Sequence, residues 1–206
     1  MSGERNNPRE RNRRAQNDER ILAGRAVAVF GGSEPLPGSP LYEEARRLGE
    51  RLARAGARVI SGGYGGVMEA ASRGARDAGG ESVGVTGSFF SERAPNRWLS
   101  EVRECGDLFE RTKLLIDLSD AFIILPGKSG TLAEVAFLWA LDRARQMRSK
   151  PVVLCGRMWV DLVAAFERAG VVEEKQRAMT TLCENVEEAI ACVGQRLGSR
   201  SSRETS

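Results

Sequence analysis

The sequence predicts an α/β fold: one domain on a single doubly wound, mostly parallel sheet with helices on both faces, a modified Rossmann arrangement. Three observations point to it. Short apolar runs alternate with longer amphipathic stretches along the chain. The runs are apolar at consecutive positions rather than at every second one, as in strands covered from both sides. Four of them end in small, flexible residues, the usual lining of a ligand crevice at the carboxyl ends of parallel strands.

Taken in order, "RAVAVFGG" reads as a strand ending in glycine. "SPLYEEARRLGERLARAG" follows as a helix, with Ser39 as N-cap, Pro40 at the first helical position and Gly56 at the end. Leu41, Ala45, Leu48 and Leu52 share one face of it. "ARVISGG" is a strand, "GVMEAASRGARDAGG" a helix and "SVGVT" a strand. After a loop, "CGDLFERTKLLIDLSD" has helical spacing, and "AFIIL" is a buried strand. "TLAEVAFLWALDRARQM" is a helix, "PVVLC" a strand, and "VDLVAAFERAG" and "VEEAIACVGQRL" complete the set. No internal repeat or linker interrupts the series.

Composition narrows the chemistry. The chain has 206 residues and a formal charge of +3, but residues 1–20 carry six arginines against four acids, and residues 198–206 read "GSRSSRETS". Both ends lack the apolar residues needed to offset the entropy of ordering, so disordered tails are expected at 1–20 and 198–206, flanking a domain at 21–197. The tails account for the whole surplus of positive charge. The domain is formally neutral, which does not indicate a nucleic-acid grip. No apolar run is long enough to span a bilayer, and no signal-type segment follows the N-terminus. Cys105, Cys155, Cys183 and Cys192 show no metal or redox spacing, so a cytoplasmic setting with reduced thiols is expected. The absence of histidine is the most discriminating feature. It excludes histidine-based triads, histidine-ligated zinc and imidazole acid–base chemistry, leaving carboxylate, arginine, lysine, tyrosine or backbone to do any catalysis.

The flexible strand ends are Gly31-Gly32-Ser33, Ser61-Gly62-Gly63, Thr86-Gly87 and Pro126-Gly127. Their convergence suits a nucleotide or phosphate, although βα turns favour glycine for purely structural reasons as well. Neither the dinucleotide fingerprint nor the P-loop is present: the first turn is "GGSEPLPG", and "GKSGT" lacks the spaced upstream glycine. In "AFIILPGKSGTLAE" a strand opens through Pro126 into a helix whose first amides and dipole would attract an anion, with Gly127 and Gly130 allowing unusual dihedrals and Thr131 adding a hydroxyl. The same Thr-x-x-Glu spacing is also a capping box, with Thr131 as N-cap and Glu134 as its reciprocal partner. Both readings of Glu134 stand at this point.

"LPGKSGTLAE" resembles the P-G-G-x-G-T-x-x-E signature of the LONELY GUY (LOG) family. "AVFGGS", "SGGYGGVMEAASRGA" and "LFERTKLLIDLSD" agree with the family in order and spacing, over about residues 25 to 190. The resemblance implies a phosphoribohydrolase that cleaves the N-glycosidic bond of a nucleoside 5′-monophosphate, often a cytokinin riboside monophosphate, without metal or other cofactor and as a homodimer. It assigns the catalytic positions to Arg111 and Glu134. The family's phosphate-holding positions match Gly127, Ser129, Gly130 and Thr131; Gly31, Ser33, Gly62, Gly63, Met68 and Lys128 join them as candidate phosphate- or nucleotide-binding residues. Glu134 would stabilise an oxocarbenium-like state and orient or deprotonate water. Arg111 would stabilise the departing base or hold the glutamate.

Two positions depart from the family. Lys128 stands where the signature has its second glycine, and would either strain the loop or contact phosphate. Glu69 stands where many LOG enzymes have glycine, either near the pocket or on an exposed turn, and Met68 beside it serves packing, base recognition or both. Three functions follow. The first is hydrolysis of AMP or an N6-substituted AMP. The second is a nucleotide sensor with little turnover. The third, lysine decarboxylation, conflicts with the lack of a histidine to stack on pyridoxal phosphate and with a supply of only four lysines. The apolar helix "VAFLWAL", with Phe137, Leu138 and Trp139 on more than one face, adds to the expectation of a dimer.

Overall fold

The computed structural model describes residues 20–90, 93–148 and 150–201. Seven strands form one sheet: β1 (Ala26–Phe30), β2 (Arg58–Ser61), β3 (Ser82–Gly87), β4 (Glu101–Cys105), β5 (Ala121–Ile124), β6 (Val152–Cys155) and β7 (Thr180–Cys183). Their order is β4-β3-β2-β1-β5-β6-β7, and every pairing is parallel. The helices are α1 (Pro40–Arg54), α2 (Val67–Asp77), α3 (Leu108–Asp117), α4 (Ser129–Arg143), α5 (Arg157–Arg168), α6 (Glu174–Met179) and α7 (Val186–Ser201).

Alternate residues of each central strand point to opposite faces, and each face has its own core. Val27, Val29, Val59, Ile123 and Val153 meet Leu48 and Leu52 of α1, Val67 and Ala71 of α2, and Val193 of α7. On the other face Ala28, Phe30, Ile60, Phe122, Ile124 and Leu154 meet Leu115 of α3, Leu138 of α4 and Trp159 of α5. The doubly wound, parallel prediction therefore holds in detail. Two helices of the first layer touch backbone to backbone: a Cβ on Gly74 of α2 would lie 1.9 Å from the Arg46 carbonyl oxygen of α1.

Three local expectations change. Strands β4 and β7 have no strand signal in the sequence, because both are edge strands with mixed composition, "EVREC" and "TTLC". Helix α7 runs through Ser201, past the domain limit at residue 197 read from the sequence, whereas residues 1–19 of the tail expected over 1–20, and the last residues, 202–206, lie outside the described residues. Ser39 and Pro40 do begin α1, yet Ser39 makes no side-chain capping bond, and its hydroxyl is buried without a partner.

The chain winds outward from β1 to β4 and then returns to lay β5 on the free side of β1. The loops after β1 and β5 therefore leave in opposite directions. A crevice opens beyond their carboxyl ends, the place where such sheets bind ligands.

Candidate functional site

Two loops and one helix build the crevice. The loop after β1 brings Gly31, Gly32, Ser33 and Glu34, and it is tied to the loop after β5 by a hydrogen bond from the Gly32 amide to the Pro126 carbonyl oxygen at 3.0 Å. Helix α4 then starts at Ser129, with Lys128 as its N-cap. Ser129, Gly130 and Thr131 are its first three residues, whose N–H groups have no partner within the helix. A cavity of about 280 Å³ lies against them, lined also by Tyr64, Met68, Phe90, Arg93, Arg111 and Glu134.

The helix start removes one of the two readings of Glu134, the capping box. Thr131 sits at the third helical position, not at the cap, and is buried. A capping box between Thr131 and Glu134 is therefore excluded by register: Glu134 lies in the second turn, too far from the unpaired amides to cap them. Nor do Gly127 and Gly130 use unusual dihedrals, since neither has positive φ. Gly127 is required by closeness instead. A Cβ there would lie 2.2 Å from Thr131 Oγ1 and 2.9 Å from the Gly32 amide nitrogen. Lys128 is extended at φ −98°, so a side chain at that position strains nothing.

Arg111, from α3, is 6% exposed. Its Nε donates to the Val85 carbonyl oxygen at 2.8 Å, and its Nη2 donates to the Gly62 carbonyl oxygen at 3.0 Å. The guanidinium thus clamps the ends of β3 and β2, and the Tyr64 and Phe90 rings lie 5.8 Å from it. Gly62 is glycine because a Cβ would meet Arg111 Nη2 at 2.1 Å. Burial pulls the Arg111 pKa down from its ordinary value, and the charge of Glu134 opposes that pull. Reciprocally, burial pushes the Glu134 carboxyl up to about 7, with Arg111 offsetting part of the rise. A half-buried carboxyl beside a fixed cation, close to half ionised at neutral pH, is suited to proton transfer and to stabilising a developing positive charge.

A second cleft of about 340 Å³ adjoins the first, sharing Phe90, Arg111, Gly130 and Glu134. Its remaining wall is mostly apolar: Leu108, Phe109, Ala133 and Phe137, with Thr112. Glu134 and Arg111 therefore stand at the junction of a polar compartment bounded by helix amides and an apolar one.

Of the residues singled out from sequence, Gly31, Ser33, Met68, Arg111, Lys128, Ser129, Gly130, Thr131 and Glu134 line this region together. Gly62, Gly63 and Gly127 sit behind it and shape its walls. Glu69 is not part of it; its carboxylate accepts a hydrogen bond from the Tyr42 hydroxyl at 3.1 Å. Tyr64, Phe90, Arg93 and Glu34 were missed from sequence. Tyr64 was within reach, lying inside the "SGGYGG" turn; its hydroxyl accepts from the Gly87 amide at 2.9 Å. Phe90 and Arg93 sit on an irregular loop with no periodic signal. Among the described residues no cluster of acids and cysteines is arranged to hold a metal ion.

Comparison with known proteins fits this geometry. Residues 24–190 match the model of the SLOG cluster4 family. A cytokinin riboside 5′-monophosphate phosphoribohydrolase from Rhodococcoides fascians is 32% identical over 178 residues, covering 82% of this chain and 89% of that protein. A probable cytokinin riboside 5′-monophosphate phosphoribohydrolase from Oryza sativa subsp. japonica is 36% identical over 134 residues, 63% of this chain, and the match spans only 53% of that protein's length. Among solved structures, the molybdenum cofactor carrier protein from Chlamydomonas reinhardtii superposes with a TM-score of 0.65 at 26% identity, covering 84% of this chain and 98% of that one. The motifs around the crevice and the extent of these matches agree: the chain belongs to the SLOG cluster4 family, among relatives of the LONELY GUY type.

Proposed function

We propose that this protein hydrolyses the N-glycosidic bond of a nucleoside 5′-monophosphate, AMP or an N6-substituted AMP, releasing the base and ribose 5-phosphate. The observation that carries the reading is the position of Glu134, on the helix whose first amides face the polar compartment and at the border of the apolar one. A 5′-phosphate on Ser129, Gly130 and Thr131 directs the ribose toward Glu134 and the base toward Phe109, Ala133 and Phe137. The N-glycosidic bond then lies beside the carboxylate. As that bond breaks, its electron pair leaves with the base and positive charge develops on the ribose. Ionised Glu134 stabilises that charge and receives a proton from the attacking water, whose oxygen bonds to the anomeric carbon, while the departing base takes up a proton from solvent. Arg111 is held by two carbonyl groups and not by Glu134, so its field acts on the departing base and on the carboxylate together. No cofactor is needed for these steps.

The test is incubation of the purified chain with AMP. Free adenine with ribose 5-phosphate supports hydrolysis. A rise in melting temperature without products supports the second reading, a nucleotide sensor, which the carrier-protein likeness keeps in view.

Leu138 and Trp139 are buried in this chain's own core and are not available to a partner, so the proposed homodimer contact is the exposed apolar edge of the base cleft. Phe109 is 76% and Leu108 52% exposed, and Ala133 and Ala136 of α4 are exposed alongside them. A sedimentation mass equal to one chain would contradict it. The proposed setting is cytoplasmic, in keeping with cysteine spacings that match no metal or redox motif. Among the described residues no helix is long and apolar enough to cross a membrane.

A further inference from the structure

The polar compartment has an anion of its own. Glu34, two residues beyond Gly32, sends its carboxylate to the Lys128 ammonium, Oε1 to Nζ at 3.1 Å. Its Oε2 stays over the loop, 3.1 Å from where a Cβ on Gly32 would be. Both side chains line the same cavity as Ser129, Gly130 and Thr131, and Arg93 completes that rim. The hydrogen bond from Lys128, then Glu34's own backbone and the charges of Lys128 and Arg93, hold the Glu34 carboxyl below its ordinary pKa, so it is ionised at neutral pH. The pair is open to water, with 75% of the Lys128 side chain and 53% of the Glu34 side chain exposed. An exposed ion pair of this kind is weak and changes partners readily.

We propose that Glu34 and Lys128 form an exchangeable charge pair that sets affinity for the 5′-phosphate: the incoming dianion takes the ammonium of Lys128 from Glu34. This rests on the nucleotide reading above and adds to it a specificity-determining residue, Glu34, which no signature position predicts. The exchange favours a ligand with two negative charges, because a phosphate dianion attracts the ammonium more strongly than a single carboxylate does. A nucleoside without phosphate leaves the pair intact and gains nothing. Glu34 thereby weakens phosphate binding by competition, and Lys128 supplies a mobile cation that a glycine at its position lacks.

The test uses the full chain, with calorimetry on ribose 5-phosphate and kinetics on AMP and adenosine. Glu34→Gln is expected to tighten ribose 5-phosphate and lower KM for AMP about two- to five-fold, the range set by an exposed ion pair. Kinetics on adenosine stay as they are, and Glu34→Asp restores the wild-type values. Lys128→Met weakens ribose 5-phosphate, and in that background Glu34→Gln brings no gain, because there is no ammonium left to release. Unchanged or weaker ribose 5-phosphate binding in Glu34→Gln overturns the exchange, as does a gain that persists without Lys128, or an absence of binding by every variant. The two readings separate cleanly. If AMP is cleaved but Glu34→Gln behaves as wild type, hydrolysis stands and the exchange falls. If ribose 5-phosphate follows the expected pattern while AMP is never cleaved, the exchange stands and hydrolysis falls.

Discussion

Replacing Glu134 with glutamine should make the protein more stable and inactive at once. The carboxyl has an ordinary pKa of 4.5 and is pushed up to about 7 in the folded chain. Between those two values the native state holds a proton that the unfolded chain has lost, so stability falls as pH rises across that window and levels off above it. Moving the pKa across that window changes the ionisation equilibrium roughly 300-fold. At about 1.4 kcal/mol for each factor of ten, the ionised carboxylate costs roughly 3 kcal/mol of stability at pH 8. Glutamine has nearly the shape of the protonated acid and never ionises. Glu134→Gln should therefore match wild type near pH 4.5 and exceed it by up to about 3 kcal/mol near pH 8. For a domain of this size that is a melting-temperature rise of roughly 6–12 °C. Differential scanning calorimetry of both proteins at several pH values reads the difference directly. Over the same range, kcat/KM of wild type for AMP should rise with pH through about 7 if the carboxylate is the working form, and the variant should show no turnover while still binding ribose 5-phosphate. A melting difference that does not change with pH, or a variant less stable than wild type at pH 8, would refute the reasoning, because Glu134 would then be fulfilling a structural role.

Other positions give sharper contrasts. Gly127→Ala should cost about 1–3 kcal/mol in denaturant unfolding, since its Cβ would press on Thr131 Oγ1 and the Gly32 amide. Gly130→Ala meets no atom within 4 Å, so it should fold at least as well as wild type and yet raise KM for AMP, since Gly130 lines the polar compartment proposed to hold the phosphate. Arg111→Met leaves the carbonyl groups of Val85 and Gly62 without that donor, at roughly 1–3 kcal/mol for each group left unpaired. Arg111→Lys retains the charge but cannot span both carbonyls, and kcat/KM should fall about 100-fold or more. Gly74→Leu should separate α1 from α2 and abolish cooperative thermal unfolding, because there is no space beside the Arg46 carbonyl oxygen.

Most of the sheet was legible because its central strands are buried on both faces, which leaves an uninterrupted apolar signature such as Val27-Ala28-Val29-Phe30 or Phe122-Ile123-Ile124. Strands β4 and β7 were not, and the reason is positional. Edge strands have one neighbour and mix polar residues into their sequence, so Glu101, Arg103 and Glu104 in β4 read as loop. Their pairing is dictated by the free hydrogen-bonding edges of β3 and β6, which no local pattern in β4 or β7 records.

At the site, residue types were legible and register was not. The Thr-x-x-Glu spacing fits a capping box as well as it fits a catalytic acid, and only the true helix start rules the capping box out. That start is set by Lys128, which takes an extended conformation at the cap, and by the packing of Gly127 against Thr131 and Gly32. The shift in register converts Thr131 from a cap into a buried wall, and Glu134 from a structural partner into a half-buried carboxyl with no cap to serve. Backbone geometry also explains why the signature can tolerate Lys128. Gly127 is fixed by contact distances that no side chain survives, whereas the next position has ordinary backbone angles and faces water. A lysine can therefore be added there without disturbing the helix start, and because it lands on the rim of the polar compartment its charge is free to act on the proposed phosphate ligand without changing the fold.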